Sequence, residues 1–448
     1  STLSPSSAAS DVYKRQSLGC PKNQVDGEML MKKLCDNGFT VAPSEGEADA
    51  VIVNTCGFIE SAKTEAIEAI LEAAEYKKAG LVSAVIVTGC LAERYKDEIM
   101  KEMPEVDAVV GIGANSDIVK ICQKALCGVT TNIFPNKCYL PLDDERLMAK
   151  GSHWAYLKIS DGCDNRCSYC AIPAIRGAYR ERSMESIISE AEELAASGVK
   201  EIILVAQDTT KYGISLYGKY MLPELLKKLS DINGIEWIRI FYCYPDKVTD
   251  ELIHAIASLD KVCSYIDIPL QHCSKDVLKA MNRTGSYDEL KALIEKMRAN
   301  IPGLSLRTTL MVGFPGETDE QFEELCKFVK EMKFDKMGCF KFSPEEGTPA
   351  YDMPNQVEED VKSRREEVLG DIQYTVTENA NKSRIGKIYK TIVDSEEGDN
   401  YIGRSYLDSP EIDSGIIFTS PRELEAGDFV NVKITDYDGY DLIGELAQ

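Results

Sequence analysis

Asp161-Gly162-Cys163-Asp164-Asn165-Arg166-Cys167-Ser168-Tyr169-Cys170 places three cysteines in one short segment, with three and then two residues between them. A loop of that length wraps three corners of an iron–sulfur cubane. Three ligands on four irons leave one iron open to a chelating molecule. Zinc closes its tetrahedron with a fourth Cys or His, and none lies nearby in the chain. A structural zinc knuckle, or chance clustering, is the alternative on spacing alone.

Outward from that loop the chain repeats one pattern. Apolar runs at residues 155–159, 201–206, 237–242, 265–270, 304–312 and 337–342 are each followed by helical periodicity or a Gly-rich bend. Six successive βα units predict an open or partial (β/α)6 barrel, with its active site at the carboxyl ends of the strands. Gln207-Asp208, Gln271 and Arg307 end or sit within these strands. There they either reach the barrel mouth or serve as satisfied surface or core polar groups. Gly313-Phe314-Pro315-Gly316-Glu317 follows the fifth run, where its glycines either admit backbone close to a ligand or form a plain tight turn. A charged helical segment over 357–379 leads away.

Before the loop, residues 17–140 alternate β-branched runs at 50–53, 84–87 and 108–110 with helical segments at 61–78 and 92–103. This pattern predicts a doubly wound parallel α/β domain. The helix over 61–78 is expected to open at Ser61 and to bury Ile67, Ile70 and Leu71 on one face. Cys20, Cys56 and Cys90 each follow the end of a predicted strand, in Ser17-Leu18-Gly19-Cys20, Val53-Asn54-Thr55-Cys56 and Val87-Thr88-Gly89-Cys90. Carboxyl ends of parallel strands share one sheet edge, so these side chains either converge on a ligand there or are three separately buried cysteines.

After the charged helix, residues 385–448 lose helical periodicity and show short alternating runs punctuated by Gly and Asp, the pattern of a small antiparallel β-barrel. The expected division is 17–140, 149–377 and 378–448. Residues 1–16 stand apart: Asp11-Val12-Tyr13-Lys14-Arg15-Gln16 shows no strand or helix periodicity and resembles the in-frame translation of a transposase end used in DNA library preparation. It is read as a non-native leader, leaving the first strand of the first domain truncated or replaced.

At 448 residues two or three domains are expected, and no apolar run approaches the roughly 20 residues that cross a bilayer. Fifteen cysteines without a secretory signal fit a reducing cytoplasm, where thiols serve as metal ligands or core residues. The net charge of −23 opposes nucleic acid as a direct substrate and favours a basic or small partner. Cys35, Cys122, Cys127, Cys243, Cys263, Cys273, Cys326 and Cys339 lack ligand-like grouping and are expected to be buried apolar residues; Cys138 is unassigned. His153, His254 and His272 are scattered and predict no His-based catalysis. No catalytic residue beyond the cluster ligands is assigned.

The CxxxCxxC loop after a barrel strand resembles the radical S-adenosylmethionine superfamily, with Tyr169 in the aromatic position that family uses beside the adenine. The resemblance implies a 4Fe-4S cluster on Cys163, Cys167 and Cys170. Its open iron would bind S-adenosylmethionine, and one electron would cleave it to methionine and a 5'-deoxyadenosyl radical. Gln207, Gln271, Arg307, Gly313 and Gly316 are the further candidates for that cofactor pocket. From Ser17 onward the chain is similar to the methylthiotransferase family, through Ser17-Leu18-Gly19-Cys20-Pro21-Lys22-Asn23, Asn54-Thr55-Cys56-Gly57-Phe58-Ile59 and Gly89-Cys90. That implies a second, auxiliary 4Fe-4S cluster on Cys20, Cys56 and Cys90, a C-terminal TRAM domain, an electron donor and a sulfur donor.

Two branches of that family share the chemistry, one acting on an adenosine of transfer RNA and the other on an aspartate of small-subunit ribosomal protein S-twelve. Residues 378–448 carry seven Lys and Arg against fifteen Asp and Glu, unlike an RNA-binding surface and attractive to a basic ribosomal protein. Ile240-Phe241-Tyr242-Cys243-Tyr244-Pro245 and Phe342-Ser343-Pro344-Glu345-Glu346-Gly347-Thr348-Pro349 resemble the aspartate-modifying branch, with Glu345 and Glu346 where the other branch has a more basic stretch. Methylthiolation of the aspartate β-carbon is therefore expected, with the transfer-RNA reaction as the alternative.

Overall fold

A computed structural model describes residues 11–14, 19–148 and 151–447. The chain divides into two compact units, one of residues 1–149 with 161–166 and 170–182, the other of 150–160, 167–169 and 183–448.

The first unit is built on a six-stranded parallel sheet in the order Thr40–Val41, Asp11–Lys14, Ala50–Thr55, Ala84–Gly89, Ala108–Val110, Thr131–Ile133. Its central strands are buried on both faces, which is why they read as unbroken valine, isoleucine and alanine runs. On one face Ala50 and Ile52 pack with Leu30, Met31 and Leu34 of the helix Pro21–Asp36 and with Ile118 and Ile121 of Ile118–Leu126. On the other face Val51 and Val53 meet the helix Glu60–Lys78.

Three expectations change here. Asp11–Lys14 is a strand, paired in parallel with both Thr40–Val41 and Ala50–Thr55, although its sequence lacks clear alternation. Neighbouring strands supply the hydrogen-bond template, and Val12 fills the core position between them. Ser17 and Leu18, with residues 1–10, 15 and 16 of the expected leader, lie outside the described residues. The helix Glu60–Lys78 does not bury Ile67 and Leu71, which are 38% and 50% exposed; it buries Ala66, Ala69, Ile70, Ala73 and Ala74 instead. A stripe of alanines lets the helix lie close on a valine-covered sheet, and the larger side chains are turned outward. The segment 92–103 forms two helices, Cys90–Arg94 and Lys96–Glu102, that break at Tyr95.

In the second unit six parallel strands form an open sheet in the order Lys336–Lys341, Ser305–Val312, Val262–Asp267, Trp237–Ile240, Glu201–Val205, Trp154–Lys158. Sequence order and spatial order coincide, as expected of successive βα units. Helices between them begin at side-chain caps: Ser183, Thr249, Ser286 and Thr318 each accept a backbone N–H of the first turn, the last within a full capping box with Gln321.

The long helix Glu359–Lys382 leads to a closed five-stranded barrel. Its seams are antiparallel except where Ile416–Thr419 runs parallel to Asp441–Leu446. The strand Asn400–Ser405, with Gly403 and Arg404 breaking its alternation, was not legible in the sequence. The barrel docks along the amino-terminal edge of the second sheet. Arg404 reaches Glu201, the first residue of its strand, at 2.6 Å, and Arg239 pairs with the same carboxylate at 2.8 Å. Lys336 pairs with Asp408 at 2.7 Å, His153 with Asp394 at 2.7 Å, and Tyr265 donates to Asp413 at 2.8 Å.

Candidate active site: two cysteine sets

Cys56 and Cys90 owe their proximity to register. Asn54 pairs with Thr88 and Thr55 with Gly89 on adjacent parallel strands, so the residue after each strand emerges at the same edge. Gly19 holds Cys20 to the same place. Its φ is +112°, and a β-carbon there would fall 2.6 Å from Cys56 Cβ and 2.8 Å from its Sγ, so only glycine fits. Cys20 then caps the helix Pro21–Asp36, and Asn23 of its first turn donates its amide to the carbonyls of Asn54 and Thr55.

The three thiols feel one another. Burial pushes the Cys56 thiol up to about 12, with the neighbouring charges of Cys90 and Cys20 adding to the rise. Burial also raises Cys90, against the opposing guanidinium of Arg176. At Cys20 burial is outweighed by Lys22, Arg176 and a backbone N–H of Asn23, so this thiol is held below its ordinary value. Arg176 is itself 1% exposed: one terminal nitrogen bonds Asp26 at 2.7 Å and Asp161 at 2.9 Å, and the other faces Asn23 Oδ1 at 3.4 Å and Cys90 Sγ at 3.5 Å.

The loop carrying Cys163, Cys167 and Cys170 is shaped by its backbone. Gly162, at φ +76°, lies so close to Ala178 that a β-carbon would stand 2.1 Å from the Ala178 carbonyl oxygen. Its N–H donates to Asp161 Oδ1, Cys163 N–H donates to the Gly177 carbonyl, and Asp164 accepts from Tyr179 N–H. Further on, Ser168 N–H donates to the Met281 carbonyl. Cys167 is buried beside Tyr244, whose hydroxyl is 3.6 Å from its sulfur. Arg283 stacks on the Tyr244 ring at 4.2 Å, points one nitrogen at Cys167 Sγ at 3.8 Å and Tyr169 Oη at 3.5 Å, and anchors the other on the Pro269 carbonyl.

Among the described residues no three Cys, His, Asp or Glu side chains gather around a single-ion position. Zinc needs all its donors within about 2.3 Å of one point. A cubane attaches each thiolate to a different iron, so its ligands surround a whole cluster and stand farther apart than the donors of one ion. The donor chemistry, all sulfur with a guanidinium beside one member of each set, Arg176 buried and Arg283 half-buried, suits an anionic iron–sulfur cluster.

The polar candidates separate. Gln207, Gln271 and Gly313 follow the carboxyl ends of their strands. Gln271 is buried at φ +71° and extends the sheet through backbone bonds to Thr309 and Met311. Gly313 and Phe314 donate their N–H groups to Glu317, and the space a Gly313 side chain would need is filled by Lys362, so this glycine serves a close turn under a helix. A β-carbon at Gly316 would meet nothing within 4 Å. Arg307 does not reach the mouth: as the third residue of its strand it pairs with Asp267 at 3.0 Å and with Asp413 of the terminal barrel at 3.4 Å. Cys127 and Cys138 are exposed, and Cys35, Cys326 and Cys339 are half-buried, so Cys127 and these three depart from the expected burial.

Comparison with known proteins decides the family. Residues 157–329 match the Radical SAM superfamily, 13–111 the Uncharacterized protein family UPF0004 and 385–447 the TRAM domain. The chain is 49% identical over 437 residues to the ribosomal protein uS12 methylthiotransferase RimO of Desulforamulus reducens, covering 96% of this chain and 98% of that protein. It is 47% identical over 434 residues to its counterpart in Clostridioides difficile, with the same two coverages.

The chain belongs to the RimO family of radical S-adenosylmethionine methylthiotransferases.

Solved structures agree on the fold. The radical S-adenosylmethionine methyltransferase TsrM of Kitasatospora setae superposes with a TM-score of 0.57 at 14% identity, over 77% of this chain and 74% of that one. The cobalamin-dependent S-adenosylmethionine radical enzyme OxsB gives 0.52 at 14%, over 82% and 58%. No described helix is long and apolar enough to cross a membrane.

For this RimO-family chain, residues beside the sulfurs escaped the sequence reading. Arg176 sits in Ile172-Pro173-Ala174-Ile175-Arg176-Gly177, immediately after the last cysteine of the loop, and Tyr244 lies in a segment read only as a branch signature. Arg283 and Asp26 carry no local motif. Glu345, read as part of an acidic stretch, is 2% exposed and accepts from the Ser343 hydroxyl, so it shapes a turn rather than a charged surface.

Proposed function

We propose that this enzyme adds a methylthio group to the β-carbon of an aspartate in ribosomal protein uS12, using two 4Fe-4S clusters and two molecules of S-adenosylmethionine. Cys163, Cys167 and Cys170 would hold one cluster and Cys20, Cys56 and Cys90 the other. The observation that carries this reading is the second trio: a chain that only generated a radical would have no need of three thiols converging at the edge of a separate sheet. When bound, the clusters and cosubstrate supply a radical able to take hydrogen from an unactivated carbon, together with the sulfur that replaces it. A carbon without acidity is not opened by general-base chemistry at useful rates.

The residues of this chain do the holding. Gly19 and Gly162 set the two ligand loops, Arg283 fixes Tyr169 and Tyr244 around Cys167, and Gln207, Gln271 and Gly316 stand at strand ends as candidates for cosubstrate contact. The uS12 substrate is favoured over transfer RNA by the names of relatives nearly half identical to this chain and by a net charge of −23, which repels phosphates. An electron donor and a sulfur donor are required. Anaerobic reconstitution with iron, sulfide, S-adenosylmethionine, a reductant and a uS12 peptide tests the reading. The peptide should gain the mass of a methylthio group in place of one hydrogen. An unchanged peptide beside active cosubstrate cleavage would overturn it.

A further inference from the structure

Among the described residues the guanidinium of Arg176 is the most completely buried cation of the first unit, and the proposed transfer chemistry gives it no specific part beyond its charge. Both of its carboxylate partners, Asp26 and Asp161, bind the same terminal nitrogen. A fork clamped at one prong has its other prong fixed in direction. That free prong is directed to Cys90 Sγ, with Asn23 Oδ1 beside it. The short helix Ile172–Arg176 that carries it is packed against Cys90 through Ala171 and Ile175. The three groups orienting the nitrogen come from the helix behind Cys20 and from the residue that opens the CxxxCxxC loop.

We propose that Arg176 is a positioning residue for the auxiliary cluster: it donates an N–H···S hydrogen bond to the Cys90 sulfur and so raises that cluster's reduction potential without ligating it. The inference rests on the cluster assignment to Cys20, Cys56 and Cys90. Hydrogen bonds to cluster sulfurs withdraw electron density and favour the reduced form. Asp161 and Asp26 hold the donor at the required angle. The donor is built into the segment following the radical-generating loop, so assembling that loop and tuning the auxiliary cluster become one folding event.

The test uses the full chain with Cys163, Cys167 and Cys170 replaced by Ala, reconstituted anaerobically so that only the auxiliary site can hold iron. Potentiometric titration followed by EPR is then compared with the same protein carrying Arg176→Gln. The expected result is a shift to more negative potential, of the order of a tenfold fall in the reduced-to-oxidised ratio at fixed potential, about 59 mV for one electron. Arg176→Lys, which keeps the charge but not the fork, should shift in the same direction. Equal potentials at equal iron content would overturn the inference.

Absence of any iron centre in the triple variant with Arg176 intact would instead overturn the cluster assignment. Should the substitutions prevent folding, 15N-arginine labelling of the triple variant gives the answer directly. A weak 15N hyperfine coupling to the reduced cluster supports the hydrogen bond, and its absence refutes it.

Discussion

Arg404, on Asn400–Ser405, the second strand of the terminal barrel, meets Glu201 of the parallel sheet at 2.6 Å with both side chains buried. Glu201 also holds Arg239 at 2.8 Å, and Arg404 holds Asp394 at 2.7 Å. Burial alone would raise the Glu201 carboxyl, but the two guanidinium groups overcome it and hold it below the ordinary range. Glu201→Gln leaves two buried cations facing a neutral amide. Loss of one partner from such a network costs about 3–5 kcal/mol. Urea unfolding followed by far-UV circular dichroism should show a loss of that size; a change under about 1 kcal/mol would refute the assignment of this carboxylate as the keystone of the seam.

The two cysteine sets are expected to separate by substitution. Cys163→Ala should bring reductive cleavage of S-adenosylmethionine to background, because on the proposed assignment the cluster that binds the cosubstrate would lose a corner. Cys56→Ala should leave that cleavage measurable while abolishing methylthio transfer to a uS12 peptide. Chromatographic assay of 5'-deoxyadenosine and mass measurement of the peptide read the two outcomes independently. Full transfer activity in Cys56→Ala would sink the role given to the second set.

Gly162→Ala tests the shape of the loop. The left-handed conformation costs an L residue roughly 1–2 kcal/mol, and here the added carbon also meets the Ala178 carbonyl. Iron bound at Cys163, Cys167 and Cys170, measured with the other three cysteines replaced, should fall several-fold. Undiminished iron would mean that the loop tolerates a different path.

Glu317 gives a pH dependence. Burial outweighs Arg365 and the Gly313 and Phe314 N–H donors, and its carboxyl is pushed up to about 7 from the ordinary 4.5. The folded protein therefore holds this proton more tightly than the unfolded chain. The stability it contributes is fully present below about 4.5 and is lost as pH rises through about 7. Glu317→Gln removes the titration. Its stability should change less than that of the wild type between about pH 5 and pH 8, by about 1–3 kcal/mol. Parallel curves for the two proteins would disprove the buried-proton account.

The parallel strands were legible because strands buried on both faces are written as apolar runs, as at 50–53 and 84–87. The cysteine trio of the loop was legible because its three members are close in sequence. Cys20, Cys56 and Cys90 showed only a shared position after a strand, and register completes the argument by setting Thr55 beside Gly89. What stayed hidden was long-range. Arg176, Arg283 and Asp26 lie far in sequence from most of what they touch, and nothing in their own neighbours marks them. Arg307 misled because its place within the strand, rather than membership of it, determines which end of the sheet it reaches. The Glu60–Lys78 helix misled because large apolar residues outweigh alanine in any reading of periodicity, while close packing prefers alanine.

The ion pairs that join the terminal barrel to the sheet bear on modular engineering. A graft that exchanges residues beyond 378 for the corresponding piece of another protein would take Arg404 from Glu201, Asp413 from Arg307 and Asp408 from Lys336 at a stroke. Chimeras should fold only when donor and recipient agree at both sides of that seam, so this barrel behaves as a dedicated component and not as an interchangeable adaptor.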